Sequence, residues 1–257
     1  MELDFTLVGN ATWILEVDKN FKIGCDPALS PSGTKYGYEG FMPSRVKSPV
    51  YDESTFDNVK VWLLTHGHFD HIDEPGLGVI GDGSHIVSHK SCSSLLKNRK
   101  NLDITYLEWH QKQEIDIKDY QLEIEAVPAV HGATFITRTL MGGVNGYLLT
   151  LRHGNDKKTV YISSDTVFVP EIATTLQNRQ IDLFIANMGQ ARLKMIGGPI
   201  TMNVGMLDNF IEALKPTLTL PIHVDDFSHF ETSRSELKRS EKSSLKVLEN
   251  GEHLKIQ

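Results

Sequence analysis

Along the first quarter of the chain, apolar residues arrive in short runs broken by turn formers. Residues 3–8, 12–17 and 21–25 read as three strands, with Gly9-Asn10 and Asp18-Lys19-Asn20 as the tight turns between them. After Cys25 the pattern vanishes. Pro27, Pro31, Pro43 and Pro49 are interspersed with Gly33, Gly37 and Gly40 as far as about residue 57. So long a stretch without periodicity inside a domain predicts a functional loop or lid. Strands resume at 59–65, 85–88 and 104–107, with a short helix over 91–97. In the second half 122–127, 146–151, 159–163, 183–187 and 218–224 predict strands, and 253–256 closes the chain. Pro170 opens a helix over 170–178. Leu207, Phe210, Ile211 and Leu214 keep helical spacing within 203–215, and Pro216 stops it. Ser233, three residues before Glu236, predicts a capping box opening a charged helix. Strands alternating with helices through both halves predict a layered α/β sandwich in one domain over 1–257.

Composition narrows the class. Of 257 residues 40% are apolar, enough for a full core. The formal charge of -7 weighs against a nucleic-acid surface. Two cysteines, Cys25 and Cys92, form no motif, so no disulfide framework is expected. The acidic start Met1-Glu2-Leu3-Asp4 lacks the basic and then apolar run of a signal peptide. No segment is long and apolar enough to span a bilayer, and a cytoplasmic protein is expected.

The chemistry concentrates in Thr65-His66-Gly67-His68-Phe69-Asp70-His71, directly after an apolar run. In an extended segment alternate side chains share a face, so His66 and His68 can hold one ion together. Asp70 and His71 fall in the turn that follows and can face a second ion. Packing explains such a cluster poorly, and metal binding is the expectation. Further ligands are needed, and three positions at the ends of predicted strands qualify: His131, Asp165 and His223. Each alone has a plainer reading, a capped turn for Asp165 and a satisfied core histidine for His131 or His223.

Taken in order, His66-x-His68-x-Asp70-His71, then His131, Asp165 and His223, resemble the metallo-β-lactamase superfamily of metal-dependent hydrolases over nearly the whole chain. Gly24-Cys25-Asp26-Pro27 resembles the Asp-Pro that ends an early strand in that superfamily. Gly198-Pro199-Ile200-Thr201-Met202 and the segment from Leu248 to Leu254 fit it too. The branch it is most similar to contains ascorbate-6-phosphate lactonase, and often carries Gly-His-Ala-Thr where this chain has Gly9-Asn10-Ala11-Thr12. The resemblance implies an αββα four-layer metallo-β-lactamase-type sandwich. It also implies two divalent ions, zinc or manganese: His66, His68 and His131 on one, Asp70, His71 and His223 on the other, Asp165 bridging. A hydroxide held by both ions would be the nucleophile, with Asp70 and Asp165 catalytic. Asp26 would fix the tautomer of a ligand imidazole, or serve only as a turn carboxylate before Pro27. Leaving-group protonation would fall to Asp70, to metal-bound water or to His229, unless His229 is simply exposed.

The expected reaction is hydrolysis of a small anionic ester, lactone or phosphodiester. One rival is a phosphodiesterase on lipid-like or nucleotide substrates. The other is a non-catalytic sensor or binding module that retains metal, against which the seven intact ligand positions argue. Arg45, Lys47, Arg192 and Lys194 could meet an anionic substrate, although solvated loop charges explain them more simply. Tyr36, Tyr38, Phe41 and Met42 could form an apolar lid or merely pack the loop. Arg234, Lys238, Arg239, Lys242 and Lys246, interleaved with Glu236 and Glu241, read as a solvated helix face rather than a nucleic-acid site. Exposed helix faces allow a homo-oligomer, dimer or hexamer, without demanding one.

Overall fold

The computed structural model describes residues 1–37, 42–99, 101–192, 198–239 and 242–256. Tyr38, Gly40, Phe41, Lys194 and Glu241 of the readings above lie outside the described residues. The chain divides into two compact units, Met1–Tyr106 with Asp225–His229 and Leu248–Gln257, and Leu107–Val224 with Phe230–Val247.

The first unit holds a mixed sheet of β1 (Leu3–Gly9), β2 (Thr12–Val17), β3 (Phe21–Cys25), β4 (Val59–Leu64), β5 (His85–Ser88), β6 (Asp103–Tyr106) and β13 (His253–Ile256). Their order is β13-β1-β2-β3-β4-β5-β6. Left-handed residues make the two hairpin turns, Asn10 at φ 57° and Asp18 and Lys19 at 47° and 57°. Turns that short force antiparallel pairing of β1, β2 and β3. The long connection after β3 instead lets β4 lie parallel to it, as β5 and β6 then do to their neighbours. Two short helices, α1 (Glu74–Gly78) and α2 (Ser93–Leu96), accompany this sheet. Its core joins Val8, Ile14, Trp62, Leu64, Ile86 and Leu96. Trp62 lies so close to β3 that a Cβ on Gly24 would come within 2.5 Å of its ring. Glycine there lets β3 deliver Asp26, two residues on.

The second unit holds β7 (Lys112–Ile117), β8 (Tyr120–Pro128), β9 (Asn145–His153), β10 (Asp156–Ile162), β11 (Leu183–Asn187) and β12 (Leu218–Ile222), in the order β12-β11-β10-β9-β8-β7. Its helices are α3 (Phe135–Met141), α4 (Pro170–Leu176), α5 (Val204–Leu214) and α6 (Arg234–Leu237). Asn203 caps α5 by accepting from the Met206 N–H at 2.9 Å, and Lys215 turns left-handed ahead of Pro216. Leu207, Phe210 and Leu214 bury that helix in a core with Tyr161 and Phe184. Each contributes about 1.5–3 kcal/mol of apolar burial.

Strands 12–17, 21–25, 85–88 and 183–187 have the bounds the pattern predicts, and the segment that closes the chain, 253–256, is a strand as well. The loop over 27–57 carries no strand or helix among its described residues. It is nonetheless organised by isolated bridges, Lys35 with Ser44 and Arg45 with Phe227. The charged helix expected after Ser233 is a single turn. Ser233 does cap it, accepting from Glu236 at 3.2 Å, but Arg234 is buried rather than solvated. Among the described residues no helix is long and apolar enough to cross a membrane.

Candidate metal centre

In the first unit β4 ends at Leu64, one residue earlier than predicted, and the histidine cluster lies in the irregular backbone beyond it. His66 and His68 nevertheless converge, Nε2 of one 2.9 Å from Nδ1 of the other. The His71 and Ile72 N–H groups both donate to the His68 carbonyl at 3.0 Å, winding the chain into a turn that presents Asp70 and His71. The His71 ring lies 4.0 Å from that of His66.

Asp26 holds this cluster from below. Its Oδ1 accepts from the Thr65 N–H at 2.8 Å, and its Oδ2 from the Thr65 hydroxyl at 2.6 Å. The same Oδ2 lies 2.7 Å from His71 Nδ1, with both side chains buried. A carboxylate in that position places the ring proton on Nδ1 and makes Nε2 the lone-pair nitrogen. Thr65 Oγ1 also lies 3.0 Å from His66 Nδ1, so the hydroxyl relays Asp26 to a second imidazole. Burial pushes the neighbouring Cys25 thiol well up, and the Asp26 charge adds to the shift. Asn10, buried at the β1–β2 turn, donates from Nδ2 to the Asp70 carbonyl at 2.6 Å and anchors the turn from the other side.

In the second unit His131 follows β8, Asp165 follows β10 and His223 follows β12. His131 Nδ1 lies 2.8 Å from the Ile200 carbonyl, which again makes Nε2 the lone-pair nitrogen. Asp165 lies between two imidazoles: Oδ2 is 3.6 Å from His131 Nε2, and Oδ1 is 3.7 Å from His223 Nε2. Asn187 at the end of β11 donates to Oδ1 at 3.1 Å. Among the described residues, each unit thus brings candidate metal ligands to its strand ends: His66, His68, Asp70 and His71 in the first, and His131, Asp165 and His223 in the second.

The remaining candidates separate by burial. Lys47 pairs with Asp225 at 3.5 Å and Arg192 with Glu231 at 3.0 Å, as solvated loop charges do. Met42 is exposed. Arg45 departs from its expected solvation, being only 1% exposed. His229 is not simply exposed either: its side chain is 11% accessible, and Nε2 lies 4.0 Å from Asp70 Oδ2. Sequence reasoning passed over Thr65, Asn187 and the Ile200 carbonyl. For Asn187 a signal existed, an amide closing an otherwise apolar buried strand.

A family described as "Beta-lactamase superfamily domain" matches residues 23–224. A UPF0173 metal-dependent hydrolase of Pyrococcus furiosus is 26% identical, the alignment covering 98% of this chain and 98% of that protein. UPF0173 protein YddR of Bacillus subtilis is 24% identical over 97% and 98% of the two chains. Among solved structures, a possible metal-dependent hydrolase from Veillonella parvula superposes with a TM-score of 0.83 at 22% identity, covering 99% of each chain. Isothiocyanate hydrolase from Delia radicum gut bacteria superposes at 0.79 and 22%, covering 98% of each. Two mixed sheets with their helices are thus the α/β metallo-β-lactamase-type sandwich that the sequence implied. With the matched span running from β3 past His223, the chain belongs to the metallo-β-lactamase superfamily of hydrolases.

Proposed function

We propose that the chain, as one cytoplasmic catalytic domain, hydrolyses a small anionic ester, lactone or phosphodiester at a centre of two divalent ions, zinc or manganese. His66, His68 and His131 would hold one ion, Asp70, His71 and His223 the other, with Asp165 shared. The observation that carries this reading is the position of Asp165, each carboxylate oxygen turned to a different imidazole. The donor set fits as well: His71, His66 and His131 have Nδ1 engaged by Asp26, Thr65 and the Ile200 carbonyl, which orients each Nε2 as a ligand. Nitrogen and oxygen donors without a thiolate suit zinc or manganese. Bound there, such ions would supply a hydroxide nucleophile at neutral pH and polarise the carbonyl or phosphoryl oxygen of the group under attack. The protein's own part is positional. Asp26 and Thr65 fix two imidazoles, Asn10 fixes the Asp70 turn, and Asn187 orients Asp165. Asn10 has no ionisable proton, so Asp70 and its neighbour His229 are the groups placed to deliver one to the leaving group.

Elemental mass spectrometry on protein purified without an affinity-tag metal tests the reading. About two equivalents of one transition metal per chain are expected for a two-ion centre. One or fewer, not raised by reconstitution, would refute it.

A further inference from the structure

Arg45 is among the largest fully buried side chains of the molecule, and it carries a charge. Its Nε donates to the Lys47 carbonyl at 3.0 Å and its Nη1 to the Ala28 carbonyl at 2.6 Å. The guanidinium carbon stands 5.5 Å over the Phe227 ring. Nη2 is buried and has no hydrogen-bond partner, and among the described residues no carboxylate forms an ion pair with Arg45. A buried cation is ordinarily paired, because stripping it of water costs several kcal/mol. The nearby carboxylates are engaged elsewhere. Asp73 accepts from the N–H groups of Leu29, Ser30 and Gly76, and Asp226 accepts from Asn250 Nδ2. Burial pulls the Arg45 pKa down, with Asp226 the largest opposing influence.

A second unfilled donor belongs to the same cluster. Tyr36 stacks on Phe69 with ring centres 4.4 Å apart and tilts against Phe227 at 5.9 Å. Its hydroxyl is buried with no acceptor for its proton, and the Ser30 side chain beside it holds the phenol's pKa down against the larger effect of burial. Burial raises the phenol's pKa and keeps it a donor. From Phe69 and Phe227 the rings continue to His229, at 6.3 and 5.9 Å, and His229 lies beside Asp70. Two donors without an acceptor, at one end of an aromatic run that reaches a candidate metal ligand, call for an anionic oxygen.

We infer that Arg45 and Tyr36 form an anion anchor, Nη2 and the phenol hydroxyl donating to a carboxylate or phosphate group of the substrate. The placement rests on the hydrolase reading, since it makes Asp70 the reacting end; the anion binding does not. Both donors lie beneath the surface, so Tyr36, half-buried in the irregular loop, is the side chain that turns to admit the ligand.

The test is calorimetric titration of inorganic phosphate, and separately acetate, into the metal-loaded full-length chain and its Arg45→Gln and Tyr36→Phe variants. Metal content is measured on the same samples. Loss of a charge-assisted bond predicts that Arg45→Gln weakens binding of the preferred anion about 100-fold and Tyr36→Phe about tenfold. Phosphate binding to the metals alone would leave both variants like wild type and would overturn the anchor, as would a wild type that binds neither anion. Should Arg45→Gln fail to fold, Tyr36→Phe, which removes one oxygen, decides. Anion binding that depends on Arg45 in a chain without two metals would keep the anchor and discard the dinuclear reading.

Discussion

Replacing Asp26 with asparagine keeps the side chain's shape and inverts the hydrogen bonding of a buried cluster. The backbone tolerates the change, since Asp26 sits at φ 41°, a region asparagine adopts readily. One oxygen of the amide can go on accepting from the Thr65 N–H. The NH₂ group then faces Thr65 Oγ1 and His71 Nδ1, which lie 2.6 and 2.7 Å from the native Oδ2. Both must become acceptors. The threonine hydroxyl can rotate, but the imidazole can comply only by moving its proton to Nε2, the nitrogen the proposed metal requires. Losing the imidazole–carboxylate bond costs about 1.5–3 kcal/mol. Loss of such a supporting partner typically weakens metal binding about 10- to 100-fold, or about 1.4–2.7 kcal/mol. The two ranges overlap near 2 kcal/mol, so the penalty should fall mainly on the ion that His71 holds. Competition for zinc or manganese against a chromophoric chelator measures it. One of two ions should weaken by that factor, while urea melts of the metal-free protein shift by less, because side-chain volume and the Thr65 bond survive. An Asp26→Asn chain that binds both ions with wild-type affinity would refute the tautomer argument.

Asp165→Asn should abolish turnover and leave the near-ultraviolet circular dichroism unchanged, since the amide keeps the volume between His131 and His223; wild-type-like activity would remove Asp165 from the mechanism. Gly76→Ala should destabilise the fold. A Cβ there would sit 1.6 Å from the Pro27 carbonyl oxygen, so α1 must move from the strand end that carries Asp26, at about 1–3 kcal/mol, and an unchanged melting temperature would contradict this. Cys25 and Cys92 are both buried, and burial raises Cys92 from the thiol's ordinary 9.0 to about 12. Native protein should therefore leave Ellman's reagent unreacted at pH 8 and show both thiols in guanidinium. Between about pH 9 and about 12 the unfolded chain loses a proton that folded Cys92 keeps, so stability should fall as pH rises through that window, and the fall should shrink in Cys92→Ala.

Much of the strand framework was legible because its strands are apolar runs bounded by turn formers, and His131, Asp165 and His223 stand where such runs break. What escaped did so for physical reasons. β7 is an edge strand whose Lys-Gln-Glu-Ile-Asp-Ile holds no apolar run to mark it, and its ladder to β8 makes it a strand. α3 inverts the usual pattern, exposing Phe135, Ile136 and Leu140 and burying Thr137, and a Thr134–Thr137 capping box starts it. α1, Glu-Pro-Gly-Leu-Gly, has poor helix propensity and depends on the Asp73 carboxylate that caps it and also accepts from Leu29 and Ser30. Arg45 read as solvated because a charge in a proline- and glycine-rich loop usually is. Its burial depends on pairing with Phe227 and on Val46 donating to Asp226, contacts from residues about 180 positions away.

The site itself collects what periodicity cannot encode. Asn10, Asp26, Ser164 and His223 are all buried, all non-glycine and all left-handed, at φ 57°, 41°, 56° and 62°. Each such residue costs about 1–3 kcal/mol unless its surroundings hold it, and such residues gather where function fixes a side chain's direction. Each of the four follows a strand by at most two residues, and each is a proposed ligand, a neighbour of one, or bonded to one. A hydrophobic pattern locates the strand and its end. The left-handed residue after it decides where the next side chain points, and the hydrogen bonds made with Asp26, Thr65, Asn187 and the Ile200 carbonyl then orient the nitrogen and oxygen atoms of the proposed ligands.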